Sequence, residues 1–184
     1  MANKPTVGGS EGTWGTELNT YLDVGHSEAG VPNYAGLTAQ VVNVMNGVRA
    51  TGSTAMLEST AIPQISEGDE YMTLTITPKS GNNKLRIDVV FNFSGAAVNN
   101  TMALFNTDHH ATNAIAAVGQ YVGQQDETKQ LTLTHYMTTP SASATTFRVR
   151  AGGTSGTLNF NGDGAEQKYG GVMASSITIT EIWV

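Results

Sequence analysis

The sequence predicts an all-β protein, a jelly-roll-like antiparallel β-sandwich carried behind a short N-terminal attachment arm. Three observations predict it. The closing run from Ser175 to Val184 alternates isoleucine and threonine with period two, which sends one row of side chains into a core and the other outward. Several more short alternating runs precede it, separated by clusters of Gly, Asn, Asp, Ser and Pro. No helical period lies between those runs, which argues against any α/β arrangement. Because the sequence closes on Trp183-Val184 without a polar tail, the last strand is expected inside a sheet, where it does not fray.

The first 47 residues read as an arm. Trp14, Leu18, Tyr21 and Leu22 recur at i, i+4, i+7 and i+8, so a helix over this stretch carries all four on one face. Thr13 suits its N-cap, Glu17 its first turn and Gly25 its end. A single helix of about ten residues is marginal alone, so the stripe has to dock, and these four residues are the candidate attachment site. Leu37, Val41, Val44 and Met45 repeat the same spacing, and periodicity leaves a short helix or an extended arm open there. As helices, three such stripes would meet along a trimer axis. Residues 48–60, with Thr51-Gly52-Ser53-Thr54 at the centre, read as a linker.

The sandwich is expected over 61–184. In 71–77 Met72, Leu74 and Ile76 share the inner face; in 85–93 Leu85, Ile87, Val89, Phe91 and Phe93 do, making this run the first choice for core. Further strands are expected over 101–106, 113–122, 131–137, 146–150, 157–161 and 175–182. Residues 78–83 and 123–129 are the turns and loops between them. Glu181 falls in phase with Ile177 and Ile179, so either a bulge re-aims it or it pairs with Arg148 or Arg150 at an interface.

Composition narrows the function. Charged residues are 13% of the 184, against roughly a quarter in ordinary soluble domains. A surface so poor in charge is one that copies of itself or other proteins cover. A net charge of −6, with nine scattered basic residues, argues against a nucleic-acid partner. The absence of cysteine removes disulfides, thiolate metal sites and cysteine nucleophiles. No apolar leader and no run of about eighteen apolar residues occurs, so a membrane role is not expected and the cytoplasm is the expected place of synthesis.

Catalytic signals are absent or lack context. Gly8-Gly9-Ser10-Glu11-Gly12 matches the G-x-S-x-G elbow, yet no buried strand precedes it. Asp126 and Glu127 are adjacent in a polar loop, without the facing geometry that glycoside hydrolysis requires. Asp108-His109-His110 offers metal-ligand chemistry, but neighbours on an extended chain point to opposite faces and cannot share one ion. Asn161-Gly162-Asp163-Gly164 lacks the bidentate glutamate of a calcium loop and reads as a turn. No catalytic residue, metal or cofactor is expected. Tyr121, Tyr136 and Tyr169, with Trp183, are the candidates for stacking on a glycan.

The stretch from Pro5 to Ser10 followed by Thr13 to Val24, containing W-x-x-x-L-N-x-x-L at Trp14 to Leu22, resembles the N-terminal segment of tailed-bacteriophage tail-fibre and head-fibre proteins. The far end is similar to their terminal domains, with Gly152-Gly153, Leu158-Asn159 to Gly162, Tyr169-Gly170-Gly171 and the S-x-I-x-I-x-E-I closure at Ser175 to Ile182. The resemblance implies a virion structural protein, assembled in the host bacterial cytoplasm, whose N-terminal part holds it to the particle and whose jelly-roll part trimerises and projects. It implies three partners: further copies of the chain, capsid or tail proteins, and, in the alternative reading, a host-surface glycan. Only a short linker stands where long fibres carry a shaft, which favours a stubby fibre or a cement-like decoration protein.

Overall fold

The computed structural model describes residues 34–184, and the candidate attachment residues Trp14, Leu18, Tyr21 and Leu22 lie outside them. One compact unit runs from Thr38 to Val184. Its strands are β1 (Thr38–Asn46), β2 (Ala50–Gly52), β3 (Asp69–Ile76), β4 (Lys84–Gly95), β5 (Asn99–Asn106), β6 (Ala116–Tyr121), β7 (Lys129–Thr138), β8 (Thr145–Gly153), β9 (Leu158–Phe160) and β10 (Ser175–Ile182). One sheet runs β1-β10-β4-β7, with the short β9 and β2 continuing beside β4; the other runs β3-β8-β5-β6. All pairings are antiparallel. With β2 and β9 set aside, the first strand pairs the last, the second the seventh, the third the sixth and the fourth the fifth. That nesting is a jelly roll.

Alternation explains the core. Leu85, Ile87, Val89, Phe91 and Phe93 on β4 are at most 2% exposed, and β4 is flanked by β7 on one side and β10 and β9 on the other. Each such side chain contributes about 1.5–3 kcal/mol by leaving water. Ile177 and Ile179 of β10 are fully buried, and β10 sits between β1 and β4 as the closing run predicts.

Tyr71 departs from the simple pattern. Glu70 pairs Arg150 and Met72 pairs Val149, so Tyr71 is an extra residue on its strand, a β-bulge. The bulge turns its ring inward, 5.1 Å from Phe160 in a stacked arrangement and 5.5 Å from Phe91 edge-on.

The expected boundaries change at the N-terminal side. Residues 38–46 are neither helix nor free arm: they form β1, with Val42 and Val44 packed on the core while Val41 and Met45 point outward. The helical stripe of Leu37, Val41, Val44 and Met45 therefore does not share one face, and no three-stranded coiled coil forms from it. Residues 48–60 are not a linker either. They supply β2 and then a strap over the outer face of the second sheet, where fully buried Met56 joins Ala103 and Phe105 of β5. The strap is tied by Met56 N–H to the Gly153 carbonyl at 3.1 Å and by Thr54 N–H to the Asp69 carboxylate at 2.9 Å.

The β9 to β10 excursion is pinned by a relay. Asn92 N–H donates to Ser175 Oγ (2.8 Å), whose hydroxyl donates to Asn161 Oδ1 (2.7 Å), and Asn161 Nδ2 donates to the Asn46 carbonyl (2.6 Å). Asn161 takes a left-handed backbone, φ 54°, which asparagine tolerates.

Candidate association surface

Among the described residues β1 lies at a sheet edge, and its nine residues, TAQVVNVMN, hold no charge and no proline. Edges of that kind offer unpaired backbone groups, which monomeric proteins blunt with lysine, proline or a cover. Here two outward side chains are large and apolar, Val41 at 56% and Met45 at 68% exposed, flanking Asn43, and Val48 just beyond is 67% exposed.

Three rows of outer-face side chains cross the sheet from this edge. The first runs Val41, Thr180, Arg86, Tyr136; the second Asn43, Thr178, Asp88, Thr134; the third Met45, Ser176, Val90, Thr132. The single ion pair in them is internally neutral, since Arg86 Nε lies 2.9 Å from Asp88 and Thr134 Oγ1 donates to the same carboxylate at 2.7 Å. Asn43 is likewise occupied, donating to the Ile177 carbonyl and Thr178 Oγ1. The face thus presents aliphatic groups, hydroxyls and a compensated pair, which suits burial against protein rather than hydration.

The tyrosine candidates do not form one platform. Tyr136 points out from β7 of the first sheet and Tyr121 points out from β6 of the second, on opposite faces of the sandwich. Tyr169 sits in the 3₁₀ turn Lys168–Gly171, 75% exposed, and Trp183 follows β10.

The histidines are closer than extended-chain geometry allows. Residues 107–109 form a turn in which the His109 and His110 amides both donate to the Asn106 carbonyl, bringing the two rings to 4.5 Å. Both line a cavity of about 310 Å³ with His135, Ile62, Ile115 and Met137. Among the described residues no group of three histidines, cysteines or carboxylates is placed to hold a metal ion. Desolvation lowers the His135 pKa, which favours its neutral form.

The acidic candidates separate. Glu127 pairs with Lys129 at 2.5 Å, which holds its carboxyl below the usual range, whereas Asp126 faces a different, polar cavity. Asp163 caps its own turn, accepting from the Ala165 and Glu166 amides and pairing with Lys168, which takes its pKa down to about 2. Glu181 is neither re-aimed by a bulge nor paired with Arg148 or Arg150. It stays in phase, fully buried, and its carboxylate accepts from Gln40 Nε2 (2.6 Å), Asn83 Nδ2 (2.6 Å) and the Lys79 amide (2.8 Å). Arg148 instead meets Glu70, and Arg150 donates to the Glu67 and Gly68 carbonyls.

No family model matches this sequence, and no curated protein matches it. Similar solved structures include the Eiger TNF of S. frugiperda, 10% identical, with 78% of this chain and 93% of that one covered at a TM-score of 0.44. The C-terminal CBM6 of the laminarinase LamC of Zobellia galactanivorans is 9% identical over 77% and 99% of the two chains, TM-score 0.34. The VP2 subviral particle of infectious bursal disease virus is 9% identical over 80% of this chain and 38% of that one, TM-score 0.32. At such identities the likeness concerns the all-β sandwich alone.

Proposed function

We propose that this chain is a bacteriophage virion structural protein, a short homotrimeric fibre or a decoration protein of the capsid or tail. The segment before Thr38 holds it to the particle through Trp14, Leu18, Tyr21 and Leu22, and the sandwich projects. The uncharged edge strand β1 carries the reading, because exposed Val41 and Met45 ask for a protein partner, and in a three-fold ring each copy covers this edge with a different part of its neighbour's surface. The low charge content and the N-terminal W-x-x-x-L-N-x-x-L motif support it. Particles assembled with Trp14→Ala/Leu18→Ala protein test the division of labour. Loss of particle attachment with an unchanged folded sandwich is expected, and retained attachment overturns it.

The alternative reading, a module that binds a host-surface glycan, is favoured by one observation: a polar cavity between loops at Arg49 and Asp126. No enzymatic activity, nucleic-acid partner or membrane partner is proposed.

A further inference from the structure

A cavity of about 520 Å³ opens where β2 and β9 meet the β4–β5, β6–β7 and β8–β9 loops. It is lined by Arg49, Thr51, Gln125, Asp126, Thr157 and Asn159, together with Ala96 and two glycines. We propose that this cavity is a saccharide-binding site, a proposal that rests on the glycan-binding reading and gives it a location whose lining holds none of the candidate tyrosines.

Its two charged groups are set in place before any ligand arrives. The Arg49 guanidinium is held by the Asp163 carbonyl (Nε, 2.9 Å), the Gly164 carbonyl (Nη2, 3.0 Å) and Asn159 Oδ1 (Nη2, 3.3 Å), so oxygen dipoles rather than a carboxylate fix it. Asp126 takes a left-handed backbone, φ 64°, anchored by its amide on the Gly95 carbonyl at 3.0 Å. Its carboxylate lies over Gly164, where a Cβ would come within 2.8 Å of Oδ1. Buried Asn159 joins the two, accepting from Arg49 and donating through Nδ2 to Ser94 Oγ at 3.3 Å, with Asp126 Oδ1 3.5 Å away. Asp126 is left with an acceptor that its own protein serves only by that long contact, facing the cavity.

The lining chemistry selects the ligand. Ala96 alone among these residues offers a purely apolar side chain, so an apolar ligand gains little there. A divalent cation finds one carboxylate and a guanidinium in the same lining, and an anion finds Asp126. A neutral polyol suits a cavity with one cationic donor, one anionic acceptor, two amides that do both and two hydroxyls, because each sugar hydroxyl donates and accepts. Gly156, φ 78°, lets the β8–β9 loop lie close on Ala96, since a Cβ there would come within 2.7 Å of the Ala96 methyl.

The test is saturation-transfer NMR on the full chain, using a panel of free hexoses, deoxyhexoses and N-acetylhexosamines and oligosaccharide fragments of bacterial surface polysaccharides. Transfer to at least one sugar is expected, with affinity falling about tenfold or more in Asp126→Ala and in Thr157→Val, and holding in Tyr136→Ala and Tyr169→Ala. Asp126→Asn, which tolerates the left-handed backbone, keeps the fold and converts one acceptor oxygen to a donor, so it too weakens binding. No transfer to any sugar, transfer indifferent to Asp126, or transfer lost in Tyr136→Ala overturns the proposal. Transfer to the fragments but not to the free sugars supports it and names the polymer as the source. Particle attachment is read separately: particles that carry the protein while no sugar binds sink this site and leave the virion reading standing.

Discussion

Asn83 Nδ2 donates a 2.6 Å hydrogen bond to the Glu181 carboxylate, and both residues are at most 1% exposed. A carboxylate inside a sandwich core demands donors, and the β3–β4 turn supplies them from Asn83 and the Lys79 amide while Gln40 adds one from β1. Glu181 thereby ties β10 to the turn and to the edge strand. Glu181→Ala orphans these donors and is expected to cost roughly 2–4 kcal/mol, read from the urea midpoint. Glu181→Leu leaves the same donors unserved and is expected to be no better, despite filling the space.

Tyr71 predicts a gain. Its ring packs between Phe160 and Phe91, yet its hydroxyl is buried without a hydrogen-bond partner, and burial pushes its pKa well up. Tyr71→Phe keeps the ring and removes the unserved group, so it is expected to stabilise the sandwich by about 1 kcal/mol. A loss of stability in thermal unfolding would show that the hydroxyl is served after all.

Association is tested at the edge. Val41→Asp or Met45→Asp adds a charge to an exposed position, so the monomer's fold is expected to survive unchanged by circular dichroism. Sedimentation equilibrium is expected to show a trimer for the parent chain and a monomer for either variant. A parent chain that sediments as a monomer at high concentration would sink the proposed assembly.

Acid acts through His135. Desolvation lowers its folded pKa below the ordinary 6.5, so the unfolded chain takes up the proton first as pH falls. Stability contributed by the neutral imidazole is therefore present above pH 6.5 and is lost as pH drops from there through the lowered folded value. His109 and His110, which line the same cavity, are the other titratable groups facing it. His135→Gln is expected to flatten this stretch of the stability profile between neutral and mildly acidic buffers.

At lower pH the Asp163 to Lys168 pair gives way. The Asp163 pKa stands at about 2 in the fold against an ordinary 3.8, so its contribution is intact above 3.8 and vanishes as pH falls through about 2. Asp163→Asn is expected to remove that acid-sensitive step, seen as a smaller drop in melting temperature between those two pH values.

Strict alternation was legible wherever both neighbours of a strand obey it. The inward aliphatic rows of β4 and β10 read correctly because each strand is flanked on both sides and buries one face only, while the surroundings of Glu181 at the end of β10 did not. β1 was not, since Val41, Val42, Val44 and Met45 satisfy a helical and a two-residue spacing at once, and only pairing with β10 decides between them. Nothing local marks Met56 as core, because the face it covers belongs to β5, some fifty positions on. Tyr71 faces inward through a bulge that needs β8 to define it. The histidine cavity and the Arg49 to Asp126 site join residues from separate loops, so their chemistry is invisible in any one stretch.

The pairing of Thr38–Asn46 with Ser175–Ile182 brings the beginning of the sandwich against its finish. On a ribosome, β1 has no strand-pairing partner until β10 has been made, so its backbone waits unpaired while the rest of the sandwich is synthesised. Closure is therefore the last step in building the sandwich, and a nascent chain stalled before residue 175 would be a substrate for chaperones or a seed for aggregation.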